Sequence, residues 1–137
     1  MKETGMRISR STGYALLAVG YIAQHRNKKV ILSQDISKKF DIPLEYLLKI
    51  LQHLVRANVL HSKRGPHGGY SLARPANKIT VLQIVEAVDG PLVSHLSLAE
   101  QIHKSKFGVR TDKVFEKAMA QVRAVFDKTK LSSLAAE

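Results

Sequence analysis

The chain has no cysteine and no tryptophan among its 137 residues. Without cysteine there is no disulfide, no thiolate-bound metal and no cysteine nucleophile, a composition compatible with a reducing compartment. Aromatic residues make up only 6% of the chain, and they form no cluster of the kind that stacks unpaired RNA bases. The longest apolar run near the N-terminus, residues 14–23, covers ten positions. A bilayer span needs roughly 20. No basic leader followed by an apolar stretch and a small-residue cleavage site is visible. The expectation is a cytoplasmic chain with no membrane segment. Acidic side chains are also few, 11 against 22 lysines and arginines, and the shortage is local. Residues 1–78 hold 4 acidic and 14 basic side chains, whereas residues 79–137 hold 7 and 8. A charge of +10 confined to one part of the chain suggests a polyanionic partner. Neither a Ser-His-Asp arrangement nor an HExxH motif occurs, so no catalytic site and no enzyme is expected.

What is present supports a folded, mainly helical chain. Hydrophobic residues make up 45% of it, enough to bury a core. After a polar start, Ser9 or Ser11 caps a helix in which Tyr14, Leu17, Ala18, Tyr21 and Ile22 recur at helical spacing. Val30–Leu32 is a short β-prone run. Ser33 then caps a brief helix, Gln34–Phe40, broken by Asp41-Ile42-Pro43. Pro43 suits the first turn of the next helix, from about Leu44 to Ala57. There Leu47, Ile50, Leu51 and Leu54 form a buried stripe, and Glu45, Leu48, Lys49, Gln52 and Arg56 face outward, with His53 near the boundary. Val59–Arg64 and Tyr70–Ala73 read as strands joined by the turn Gly65-Pro66-His67-Gly68-Gly69. Thr80 caps a helix from Val81 to about Val88. Leu92–Lys104 reads as a short helix, Ser105–Thr111 as a loop around Gly108, and Asp112 to about Lys128 as a long amphipathic helix.

Helix, short strand, helix, helix, hairpin is the order of a winged helix-turn-helix. In that arrangement the second helix of the pair meets base edges in the major groove, and the hairpin lies along the backbone or minor groove. Lys49 and Gln52 are the candidate donors to base edges, with His53 beside them. Glu45 accepts from cytosine, or pairs with Lys49. Leu48 offers an apolar contact to a thymine methyl. Pro43 and Leu44 open the recognition helix, and Ser33 and Gln34 open the preceding one, positions suited to phosphate contacts or simple capping. At the wing, Lys63, Arg64 and His67 bring cations to phosphates.

The stretches MRISRSTGYALLAVGYIA, LSQDISKKFDIPLEYLLKILQHLVRANVL, KRGPHGGYSLARP and ITVLQIVEAVDGP together resemble the Rrf2 family of bacterial regulators, which includes the iron–sulfur regulator IscR and the nitric-oxide sensor NsrR. The resemblance runs from about Met6 to Pro91 and continues weakly through the long helix. It implies a dimeric winged-helix transcription regulator, with the wing arginine, Arg64, reaching DNA and the long helix crossing between subunits. The apolar stripe of that helix, Val114, Phe115, Ala118, Met119, Val122, Val125 and Phe126, argues for a partner surface independently. The expected organisation is a winged helix-turn-helix over 6–91, a connector over 92–111, a dimerisation helix over 112–130 and a flexible tail over 131–137. The three cysteines that hold the cluster in cluster-binding members are missing from GPLVSHLSLAEQIHKSKFGVRT. The chain therefore resembles a cysteine-free branch. His95 and His103, eight residues apart in that stretch, make a poor metal site by themselves, and no cofactor is expected. The expected function is sequence-specific binding of double-stranded DNA by a homodimer on an inverted repeat, as a repressor, under a small-molecule or protein signal. The alternative is a winged-helix adaptor that binds protein or RNA.

Overall fold

The structure, a computed structural model, describes residues 8–28, 30–64, 68–101 and 105–136. It opens with α1, Arg10–Gln24. Ser9 caps α1 by accepting from the Thr12 N–H at 3.1 Å. Strand β1, Ile31–Leu32, runs into α2, Ser33–Phe40, and α3 follows as Leu44–Arg56. The sharp turn between α2 and α3 is made by Asp41 in a left-handed conformation, φ 54°. Ser37 donates its hydroxyl to the Ile42 carbonyl at 2.5 Å and closes that turn. Asn58, φ 62°, ends α3 in the same left-handed way, and the Val59 N–H returns to the Leu54 carbonyl at 3.0 Å.

The wing strands are β2, Leu60–Lys63, and β3, Gly69–Leu72. They pair antiparallel with Leu60 opposite Leu72 and Lys63 opposite Gly69. The sheet has a third member, because β1 pairs with the other edge of β3, Ile31 opposite Tyr70. Gly69 is required where β1 approaches. A Cβ there would lie 2.4 Å from the Val30 Cβ, far inside contact distance. Burial pushes the Tyr70 phenol up from its ordinary pKa, against a smaller opposing effect of its hydrogen bond to Ser62.

A short 3-10 turn, Ala76–Lys78, leads to α4, Val81–Asp89. Thr80 and Gln83 cap α4 reciprocally: the Thr80 hydroxyl accepts from Gln83 N–H at 3.1 Å, and the Gln83 side chain accepts from Thr80 N–H at 2.9 Å. The core lies between α1, α3, α4 and the sheet, around Val19, Ile36, Leu47, Leu51, Leu54, Tyr70 and Ile84.

The C-terminal third departs from the sequence reading. Leu92–Lys104 holds only one short helix among its described residues, α5, Leu98–Gln101. The long helix α6 is Lys106–Lys128, six residues longer at its start than expected. Ser105 is its cap, accepting from Gly108 N–H at 3.0 Å. The expected loop around Gly108 is thus the first turn of a helix. Asp112 does not start α6. Its two carboxylate oxygens accept from the Leu98 and Ala99 N–H groups, at 2.9 and 3.0 Å, and so cap α5. The expected flexible tail carries α7, Leu131–Ala135. Leu131 is buried in the core, and its N–H donates to the Ile79 carbonyl at 2.8 Å while the Val81 N–H donates to the Thr129 carbonyl at 2.9 Å. That antiparallel bridge fastens the end of α6 to the start of α4. Among the described residues no helix is long and apolar enough to cross a membrane.

Candidate nucleic-acid interface

The wheel of α3 separates two faces. Leu47, Ile50, Leu51 and Leu54 are buried, and Glu45, Lys49, Gln52, His53 and Arg56 are exposed. Glu45, Lys49, Gln52 and Arg56 follow one another at i+4, i+3 and i+4, so they line a single stripe. Pro43 is exposed and Leu44 half-buried at the helix start, and Gln34 is exposed at the start of α2. At the wing, Lys63 and Arg64 are exposed. Arg64 has φ 65°, a left-handed conformation that costs a non-glycine residue about 1–2 kcal/mol.

Two expected contacts do not reach this surface. Leu48 is only 5% exposed, because it sits next to Leu44 and Leu51 on the wheel, at the edge of the buried arc. It belongs to the core and presents no methyl-binding surface. Ser33 is fully buried, and its hydroxyl has no hydrogen-bond partner among the described residues. It is the first residue of α2 rather than its cap, a position taken by Leu32, and it cannot extend to a phosphate. His67, together with Gly65 and Pro66, lies outside the described residues.

Tyr46 was missed. It stands on the flank of the exposed stripe, hydrogen-bonded to the Ser11 hydroxyl of α1 and edge-on to Tyr14. A tyrosine between an acidic residue and two leucines carries no local signal of such a role.

A second surface runs along α6. Gly108 is the one buried residue of its 23. Val114, Phe115, Ala118 and Val125 are exposed, and Met119, Val122 and Phe126 half-buried. The last three and Phe115 line a groove of about 650 Å³ whose other wall is Leu92–Leu96. Phe107, 71% exposed, extends the outer row by two turns, on a helical turn where the residue pattern around Gly108 points to a loop. Arg123 pairs with Glu86 of α4 at 2.5 Å, tying α6 to the winged unit.

Residues 8–137 match the Rrf2 family, described as iron-dependent transcriptional regulators. The chain belongs to the Rrf2 family. An HTH-type transcriptional regulator of Mycobacterium tuberculosis is 31% identical over 132 residues, covering 95% of this chain and 81% of that protein. IscR of Cereibacter sphaeroides is 31% identical over 134 residues, 94% and 86% of the two chains. Among solved structures, the oxidised form of Staphylococcus aureus CymR superposes with a TM-score of 0.76 at 26% identity, over 96% of this chain and 98% of that one. This Rrf2 protein is accordingly a helix-turn-helix transcription regulator that binds DNA.

The iron named in the family description has no cysteine ligands here, since the chain contains none. Between α4 and α6 the described acidic group is Glu100, and Asp112, inside α6, has both oxygens occupied by the α5 N–H groups. His95 is exposed and His103 lies outside the described residues. This donor set does not fit a thiolate-held cluster, and no chemistry is derived through one.

Proposed function

We propose that this Rrf2 protein is a cluster-free dimeric repressor, acting in the cytoplasm on chromosomal DNA, that binds an inverted-repeat operator by reading one half-site with each copy of α3. Its role is binding, not catalysis. The observation that carries this reading is the α3 surface: four polar or charged side chains on one exposed stripe, backed by a fully apolar buried face. Lys49 and Gln52 are suited to donate to purine edges, and Glu45 to accept from cytosine. Pro43, Leu44 and Gln34 lie at helix starts, where phosphates are favoured. Lys63 and Arg64 contact the backbone beside the groove.

The dimer reading is supported by α6. Its 23 residues span about 35 Å, and its outer row, Phe107, Val114, Ala118 and Val125, leaves apolar surface in water. A second copy covers that row by two-fold symmetry. The remaining apolar residues, Phe115, Met119, Val122 and Phe126, face the groove closed by the connector of the same chain. Two copies related in this way present two recognition helices, so the operator is expected to contain two half-sites a whole number of helical turns apart.

The test is a selection of bound duplexes from a random pool with the full chain, followed by affinity measurements at two salt concentrations. An inverted repeat should be enriched. Lys49→Ala should relax preference at one position in each half-site. Arg64→Ala should weaken all duplexes alike and flatten the salt slope by about one ion per site. A pool with no enriched sequence overturns the reading.

A further inference from the structure

The recognition helix is held at its first turn by α1. Tyr46, the third residue of α3, is 41% exposed. Its hydroxyl shares a hydrogen bond with Ser11 Oγ, and its ring meets Tyr14 edge-on, with centroids 5.7 Å apart and planes at 88°. The same turn of α1 is clamped from the other side. Ser9 and Thr12 donate their hydroxyls to the two carboxylate oxygens of Asp89, at 2.5 and 2.7 Å. Asp89 is the last residue of α4, where a negative charge opposes the helix dipole. Placed against the α1 N-terminus, the same charge is favoured.

What this contact controls is the roll of α3. Side-chain tips lie about 6 Å from a helix axis, so a roll of about 25° moves them by about 2.5 Å. That displacement is enough to break a hydrogen bond to a base edge, whose useful range is a few tenths of an ångström. Phosphate contacts made by flexible cations tolerate it far better. A residue that fixes the roll therefore acts on sequence discrimination rather than on general DNA affinity.

We propose that Tyr46 is a positioning residue for operator recognition. Held by Ser11 and Tyr14, it sets the roll of α3 and so the register of Glu45, Lys49 and Gln52 against the bases. This rests on the reading of α3 as the recognition helix. Tyr46→Phe removes only the hydroxyl. It should weaken binding to the selected operator about three- to tenfold, and leave affinity for a random duplex and the salt slope unchanged. Ser11→Ala should do the same, and the double variant should be no worse than either single one, as expected for two partners of one bond.

An operator-to-random affinity ratio left untouched by Tyr46→Phe overturns the proposal. If both affinities fall equally while Ser11→Ala is silent, that unchanged ratio marks Tyr46 as a direct phosphate contact instead. A wild-type chain with no sequence preference overturns both this inference and the recognition reading. Wild-type preference retained in Tyr46→Phe overturns this inference alone.

Discussion

Replacing Val114 and Val125 of α6 by aspartate separates the dimer interface from the fold. The two valines are 64% and 62% exposed, three helical turns apart on the same row. Within one chain they touch little, so the double variant should change the unfolding free energy of a chain by no more than about 0.5 kcal/mol per site. Across a two-fold interface each substitution counts twice, removing four buried valines. At about 1.5 kcal/mol for each valine, the lower end for a fully buried side chain, the dimer loses about 6 kcal/mol. That is more than four orders of magnitude in dissociation constant, before the cost of burying carboxylates is added. Sedimentation velocity over a concentration series reads it directly. The wild type should sediment as a dimer and the Val114→Asp/Val125→Asp chain as a monomer, with circular dichroism melts alongside. The variant should also bind an isolated half-site about as well as the wild type, and lose the added affinity of the full operator. A variant that remains dimeric would refute the argument and move the subunit contact off this row.

Three further outcomes follow from local geometry. Arg64→Asn keeps the left-handed wing position with a residue that tolerates it, and should raise stability by up to about 1 kcal/mol in urea unfolding, yet reduce DNA affinity and the salt slope. Gly69→Ala places a Cβ 2.4 Å from that of Val30 and should cost about 1–3 kcal/mol; Val30→Gly in the same chain should recover most of it, and failure to recover would exclude that clash as the cause. Leu131→Ala empties a site that is 2% exposed and should cost about 2–5 kcal/mol, measured by the urea midpoint; a cost below about 0.5 kcal/mol would mean that α7 does not pack on the core.

The order of elements and the surface of α3 were legible from residue pattern, since both depend on neighbours three and four positions apart. Leu47, Ile50, Leu51 and Leu54 mark the buried face of α3, and Asn58 and Asp41 supply the left-handed stops that their residue types favour. The wing strands were legible to within a residue or two at each end. The boundary positions were not. Leu48 and Tyr46 sit on opposite edges of the buried arc, and only the packing of the neighbouring helices decides which edge is covered.

By itself, then, the sequence determined a basic, cysteine-free winged helix-turn-helix followed by a long amphipathic helix, because charge, composition and periodicity are properties of the chain alone. Tertiary structure decided everything that depends on residues far apart in sequence. It brought β1 beside β3, and it set the Asp89 carboxylate against Ser9 and Thr12, eighty and seventy-seven residues away. It turned the expected tail into α7, because the antiparallel bridge from Ile79–Val81 to Thr129–Leu131 satisfies backbone groups that neither segment pairs locally. It lengthened α6 through a Ser105 cap and gave Asp112 to α5, since a carboxylate acts on whichever helix start lies within reach, whatever its place in the chain.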